Sequence, residues 1–161
     1  MSGLPEVGLK EVGLRLLDPR LPGWGFPCWG SSAAAGLDLH ACLDAPLILP
    51  PRAKPALIPA GFSVLIRDPD WCGLIVPRSG RGHREGLVLG NGTGVIDADY
   101  EGPLMVSAWN RDDAEPVRIE PGERIAQLIF TRVARPVLTV LEGEAGPGSG
   151  RGSGGFGSSG R

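Results

Sequence analysis

The residues best suited to chemistry crowd into one stretch, residues 77–102, PRSGRGHREGLVLGNGTGVIDADYEG. Pro77-Arg78-Ser79-Gly80 ends an apolar run and puts a guanidinium, a hydroxyl and backbone N–H groups together. Arg grips phosphate oxygens as a fork, and the start of a helical turn presents free donors, so the combination suits an anion. Four residues do not separate that reading from a turn carrying a solvated Arg. Asp97, Asp99 and Glu101 follow, with Tyr100, the single tyrosine of the chain, between them. On a strand, residues 97, 99 and 101 would share one face and Tyr100 would take the other. A carboxylate near an anion site is costly unless it orients a water or holds a cation. A solvated acidic turn is the plain alternative.

Between these two groups, Gly90-Asn91-Gly92-Thr93-Gly94 separates the apolar runs Leu87–Leu89 and Val95-Ile96. Asn-Gly between strands is a strong hairpin signal, and glycines let another molecule approach the backbone closely. Amides and carbonyls there could read a planar base, although a plain hairpin explains the residues equally well. Gln127, set before Leu128-Ile129-Phe130, needs a hydrogen-bond partner if buried, and Asp38 in Ala35-Gly36-Leu37-Asp38-Leu39-His40 raises the same question. No Walker loop, GxSxG elbow or HExxH is present, which removes those enzyme classes.

The elements that must hold these residues are short. Gly 26 and Pro 16 punctuate the chain too often for long helices. Between them lie strand-length apolar runs at Leu47–Leu49, Phe62–Ile66, Leu74–Val76, Leu87–Leu89, Leu104–Ala108, Ile125–Phe130 and Val137–Leu141. Gly8–Leu17 reads as a first strand, residues 24–35 as a loop, and Ser79–Arg84 as the one short helix. The class is all-β, a sandwich or barrel. With 161 residues the chain is one domain, residues 1–141, followed by a tail, 142–161, in which nine residues are Gly and four are Ser. By composition alone that tail is a flexible linker.

A net charge of −2 gives no basic field, so duplex nucleic acid is not an expected partner. Cys28, Cys42 and Cys72 form no CxxC, which argues for idle thiols in a reducing compartment rather than a zinc site. No basic segment followed by an apolar run marks a signal peptide, and no stretch approaches the roughly 20 apolar residues of a membrane helix. A soluble cytoplasmic protein is expected.

The order of the pieces says more than any one of them. Ala35–Leu39, Pro77–Gly80, Gly90–Tyr100, Pro121–Leu128 and Arg151–Gly160 resemble, in sequence order, the five short motifs of the trimeric dUTPase family. The resemblance implies a dUTPase-like β-barrel of jelly-roll kind, a homotrimer, and magnesium-dependent hydrolysis of dUTP to dUMP and pyrophosphate. It also implies the physiological role, limiting uracil in DNA and supplying dUMP for dTMP synthesis. By residue, it implies that Asp97 activates a water for attack on the α-phosphorus. Arg78, Ser79, the Gly80 amide, Gln127, Arg151, Ser158 and Ser159 would hold phosphates. Asn91, Gly94, Val95, Ile96, Tyr100, Met105 and Phe156 would hold uracil and deoxyribose, Tyr100 against the sugar and Phe156 stacked on the base. Mg2+ would be held by the triphosphate and water, with Asp38 and Gln127 at one remove. The Gly-rich tail would close over a neighbouring subunit's site, reversing the linker reading.

Three positions depart from the family pattern: Gly92-Thr93 stands where a bulkier apolar pair is expected, and Ser159 stands where Thr is common. Residues 18–34, with Trp24, Cys28 and Trp29, match no motif. A dCTP deaminase, which shares the fold, needs a Glu on the strand after the third motif. The equivalent position here is Ser107, and 104–109 contains no Glu. A non-catalytic nucleotide sensor and a structural β-domain with a disordered tail are the remaining alternatives.

Overall fold

In a computed structural model of the chain, residues 11–140 and Glu142 are described. Eleven strands alternate with turns in this span: β1 Gly13–Leu16, β2 Gly36–His40, β3 Leu47–Leu49, β4 Ala56–Pro59, β5 Phe62–Leu65, β6 Trp71–Pro77, β7 Leu87–Leu89, β8 Gly94–Ile96, β9 Met105–Asn110, β10 Val117–Ile119 and β11 Arg124–Arg132. The helix α1 runs from Ser79 to Arg84, where the sequence placed it. Among the described residues, no helix is long and apolar enough to cross a membrane.

The strands hydrogen-bond as four antiparallel sheets, ordered β2-β11-β6-β8, β4-β9-β7, β1-β5 and β10-β3. Their ladders do not join into one closed barrel among the described residues. What unites them is a shared apolar interior that includes Leu39, Ile58, Phe62, Val64, Leu104, Val106, Ile119 and Leu128, all 0–1% exposed. Alternation supplies it: β9 turns Val106, Ala108 and Asn110 inward and leaves Met105 exposed. β11 lies between β2 and β6, so both its edges are paired and residues 125–128 are mostly buried.

Several expectations change. Residues 137–140 form no strand, and Val137, Leu138 and Val140 are 94%, 87% and 91% exposed. The Asn91-Gly92 segment is a turn, closed by Gly92 N–H donating to the Leu89 carbonyl at 3.2 Å, but not a hairpin. β7 pairs with β9 and β8 with β6, so the turn carries the chain from one sheet to another. β8 stops at Ile96, so Asp97, Asp99 and Glu101 lie in a turn and never share a strand face. The 24–35 loop begins in a 3-10 turn, Leu21–Trp24, and touches β2 through a Trp29–Leu37 bridge. The strands β2, β4 and β10 were not foreseen. Ala-Gly-Leu-Asp-Leu-His has no β-branched residue and two polar ones, yet all five residues of β2 are buried.

Candidate active site

The first candidate cleft lies where β6 passes into α1, facing β2 and β11. Gly36, Asp38, Arg78, Ser79, Gly80 and Gln127 line it, together with Arg81, Arg84 and the loop residues Gly30 and Ala34. Arg78 stands in extended geometry, φ −80° and ψ 129°, immediately before α1. The first amide bonded back into the turn is that of Gly82, which donates to the Arg78 carbonyl at 2.9 Å. The N–H groups of Ser79, Gly80 and Arg81 therefore have no acceptor further back in the helix.

Asp38 organises the cationic side. Its carboxylate is 7% exposed and accepts from two arginines, Arg78 Nε on Oδ1 and Arg124 Nη1 on Oδ2, each at 3.0 Å. Arg78 Nη1 also reaches the Arg124 carbonyl at 3.4 Å. Two guanidiniums on one buried carboxylate leave an excess positive charge at the cleft, which is what an anion needs. Gln127 on β11 is the register partner of Asp38 on β2. Its Nε2 donates to the Pro77 carbonyl at 3.0 Å, and that bond leaves Oε1 as an acceptor. Gly36 makes room for this amide, because a Cβ there would lie 2.3 Å from Oε1. Nothing in the sequence assigns a role to Arg124, Arg81 or Arg84. An Arg in a strand or turn carries no mark of the carboxylate it will meet.

The second cleft is lined by Val95, Ile96, Asp97, Tyr100, Pro103 and Met105. Tyr100 stands over it because its hydroxyl donates to the Pro103 carbonyl at 2.9 Å and its N–H to the Asp97 carbonyl at 3.1 Å. Gly102 is a condition of that placement, since a Cβ there would lie 2.5 Å from the Tyr100 hydroxyl. Val95, Tyr100 and Met105 are 60%, 42% and 37% exposed, an open apolar lip. The three acidic residues are sorted by their neighbours. Glu101 pairs with Arg67 at 3.0 Å, and Asp99 lines a separate groove beside Arg67. Asp97 is exposed and, among the described residues, forms no side-chain hydrogen bond or ion pair.

The structure thus gathers Arg78, Ser79, Gly80, Gln127 and Asp38 in one place and Asp97, Val95, Ile96, Tyr100 and Met105 in another. The two clefts have no lining residue in common. Asn91 and Gly94 line neither, and Arg151, Phe156, Ser158 and Ser159 fall outside the described residues. No group of three or more His, Cys, Asp or Glu able to hold a metal occurs among the described residues. Asp38 is already held by its arginines. The donor set fits an ion carried in by a polyphosphate, with Gln127 Oε1 as an outer acceptor, and does not fit a protein cage.

An all-β chain with a cationic cleft and a separate carboxylate cleft under an aromatic lip is the class that fold and geometry define. The dUTPase family model matches residues 23–160. A Xanthomonas campestris deoxyuridine 5'-triphosphate nucleotidohydrolase is 52% identical over 130 residues, covering 81% of this chain and 83% of the relative. A Xanthomonas oryzae protein of the same name is also 52% identical, at 81% coverage of both chains. Among solved structures, the Staphylococcus bacteriophage 80alpha dUTPase with dUPNHPP superposes with a TM-score of 0.78 at 30% identity, covering 94% of this chain and 99% of that one. A mutant dUTPase from phage phi11 of S. aureus, described with a structural Mg(II) ion, shares the fold with a TM-score of 0.69 at 24% identity, covering 83% of this chain and 97% of that one. The chain belongs to the dUTPase family.

Proposed function

We propose that this protein hydrolyses dUTP to dUMP and pyrophosphate, with Asp97 as the base that activates the attacking water. The observation that carries the reading is the partition of carboxylates. Asp38 and Glu101 are tied to arginines, whereas Asp97 is exposed and, among the described residues, unpaired beside the Tyr100 lip. A free carboxylate beside an aromatic lip suits a water next to a bound sugar and base. Asp97 takes a proton from that water as its oxygen bonds to the α-phosphorus. The bond from the α-phosphorus to the bridging oxygen breaks, and pyrophosphate departs with the electron pair. Arg78, Ser79, the Gly80 amide and Gln127 hold the phosphate oxygens and stabilise the leaving group. A magnesium ion bound with the triphosphate would supply charge neutralisation, with Gln127 Oε1 as an outer acceptor.

Tyr100 packs against the deoxyribose, leaving no room for a 2′-hydroxyl. Val95, Ile96 and Met105 contact the nucleoside, while Asn91 and the backbone from Gly94 read the uracil edge. The resemblance of the five motifs to the trimeric dUTPases supports a homotrimer, and because the two clefts share no lining residue, the phosphate cleft of one chain would face the Asp97 cleft of another. Residues 142–161 then close over a neighbouring site, bringing Arg151, Ser158 and Ser159 to the phosphates and Phe156 to the base. A reducing cytoplasm, with control of uracil in DNA and supply of dUMP, is the setting this chemistry serves.

The test is pyrophosphate release from dUTP, dCTP, dTTP and UTP, each with magnesium and with chelator. Release from dUTP alone, lost on chelation, is expected. Equal release from all four would overturn the specificity and the roles of Tyr100 and the 90–94 turn. Saturable dUTP binding without turnover would favour a sensor.

A further inference from the structure

Four arginines approach the cationic cleft, and one of them is already fully engaged. Arg81 is 9% exposed. Its Nε and Nη2 donate to Glu85 Oε2 at 2.9 and 2.6 Å, Nη2 also to the Arg118 carbonyl at 3.1 Å, and Nη1 to Glu123 Oε1 at 2.5 Å. A guanidinium held on three sides has little left to offer a phosphate. We propose that Arg81 is a positioning residue: through Glu123 it clamps α1 to the turn before β11 and so fixes Ser79-Gly80 relative to Arg78, Asp38 and Gln127. The proposal rests on reading that cleft as the phosphate site.

Six residues form no stable helix by themselves, so neighbours must determine where α1 sits. The partner is well chosen. Glu123 Oε2 accepts the Glu120 amide at 3.0 Å, closing the turn, while Oε1 faces Arg81. The Glu123 carbonyl accepts the Ala41 amide at 2.8 Å, so the same residue also ties the turn to the end of β2. The next residue, Arg124, holds Asp38 by its side chain and Arg78 by its carbonyl. The Arg81–Glu123 pair therefore joins the β6–α1 wall of the cleft to its β2–β11 wall. Only a planar fork can reach Glu85, Glu123 and the Arg118 carbonyl together, and a lysine cannot. Removing a clamp shifts donors by fractions of an ångström, enough to weaken multidentate binding.

The experiment measures binding of inorganic tripolyphosphate, with magnesium, by calorimetry, alongside turnover of dUTP and inhibition by dUMP. For Arg81→Lys, tripolyphosphate affinity falls about tenfold and KM for dUTP rises about tenfold, while dUMP inhibition and kcat change by less than about threefold. Glu123→Gln gives the same pattern, and the double variant loses no more than either single one. Glu123→Gln carries the test if Arg81→Lys does not fold. Unchanged tripolyphosphate affinity in the folded variants overturns the clamp, as does an equal loss for dUMP, or absence of tripolyphosphate binding to the unaltered protein. A protein that binds tripolyphosphate through the clamp yet fails to hydrolyse dUTP would refute the proposed reaction and leave the clamp standing.

Discussion

The two clefts are built in opposite ways. In the cationic cleft nearly every charge has a partner: Asp38 holds Arg78 and Arg124, and Arg81 is fastened to Glu85, Glu123 and the Arg118 carbonyl. In the carboxylate cleft, Asp97 has no side-chain partner among the described residues, and order comes from backbone turns, the Tyr100–Pro103 bond and apolar packing. Donors that must receive a flexible, highly charged chain benefit from being fixed in advance, because no reorganisation is then required when the charge arrives. A carboxylate proposed to take a proton from water benefits from being exposed, with its oxygens left open to that water.

That contrast can be broken from either side. The largest effect belongs to Asp97→Asn, which removes the proposed base and leaves the shape of the lip. kcat for dUTP falls by about 10²–10⁴ while dUTP binding changes little, measured by single-turnover pyrophosphate release and by calorimetry. An unchanged kcat would take the role from Asp97. Next comes Asp38→Asn, which leaves two arginines facing each other without their carboxylate. Partial exposure of Arg78 and Arg124 limits the cost to about 2 kcal/mol of stability, read from urea melts, with a raised KM for dUTP. A variant as stable and as tight as the original would mean that the cationic cleft is not held by Asp38.

The smallest effect sharpens the comparison by loosening the far side of the cationic cleft. Arg20 stacks on Trp24 at 5.2 Å, and Trp24 stacks on His40 with ring centroids 6.1 Å apart. Trp24 also packs on Gly122, whose carbonyl lies 2.8 Å from His40 Nδ1. Arg20 is held by Asp18, and that hydrogen-bonded guanidinium lowers the Asp18 carboxyl to about 2. A depressed carboxyl stabilises the fold above its unfolded pKa of 3.8 and loses that contribution as pH falls toward 2. Asp18→Asn costs about 1 kcal/mol at neutral pH, the half-exposed Arg20 limiting the figure. The gap in Tm between variant and original closes between about pH 4 and pH 2. A gap that persists at pH 2 would assign the effect to packing.

Much of this was legible in the sequence where local chemistry decides. Leu87–Leu89 and Leu47–Leu49 lie between Gly and Pro turns and became strands with those bounds, and Ser79–Arg84 became the helix. Asp97 and Tyr100 came together because they are three residues apart in one turn. What failed depends on distant partners. β2 reads as polar, but β11 covers it and supplies Arg124 to Asp38. Val137–Leu141 is as apolar as any strand, yet residues 137–140 find no ladder among the described residues of their own chain. The unexplained 18–34 segment proved to be a brace behind Gly122, invisible until Trp24 and His40 are seen to stack. Arg81 has no mark in the sequence beyond its place in the Ser79–Arg84 helix, and only its burial and its partners single it out.

Of the three thiols in the chain, burial pushes Cys42 up to about 12, helped by the neighbouring Asp18 carboxylate, and Cys72 is also covered. Cys28, partly open, sits two residues before Gly30 on the rim of the cationic cleft. These 161 residues therefore offer one addressable labelling point, Cys28, where a fluorophore or spin label would report on the cleft without either buried cysteine having to be engineered away.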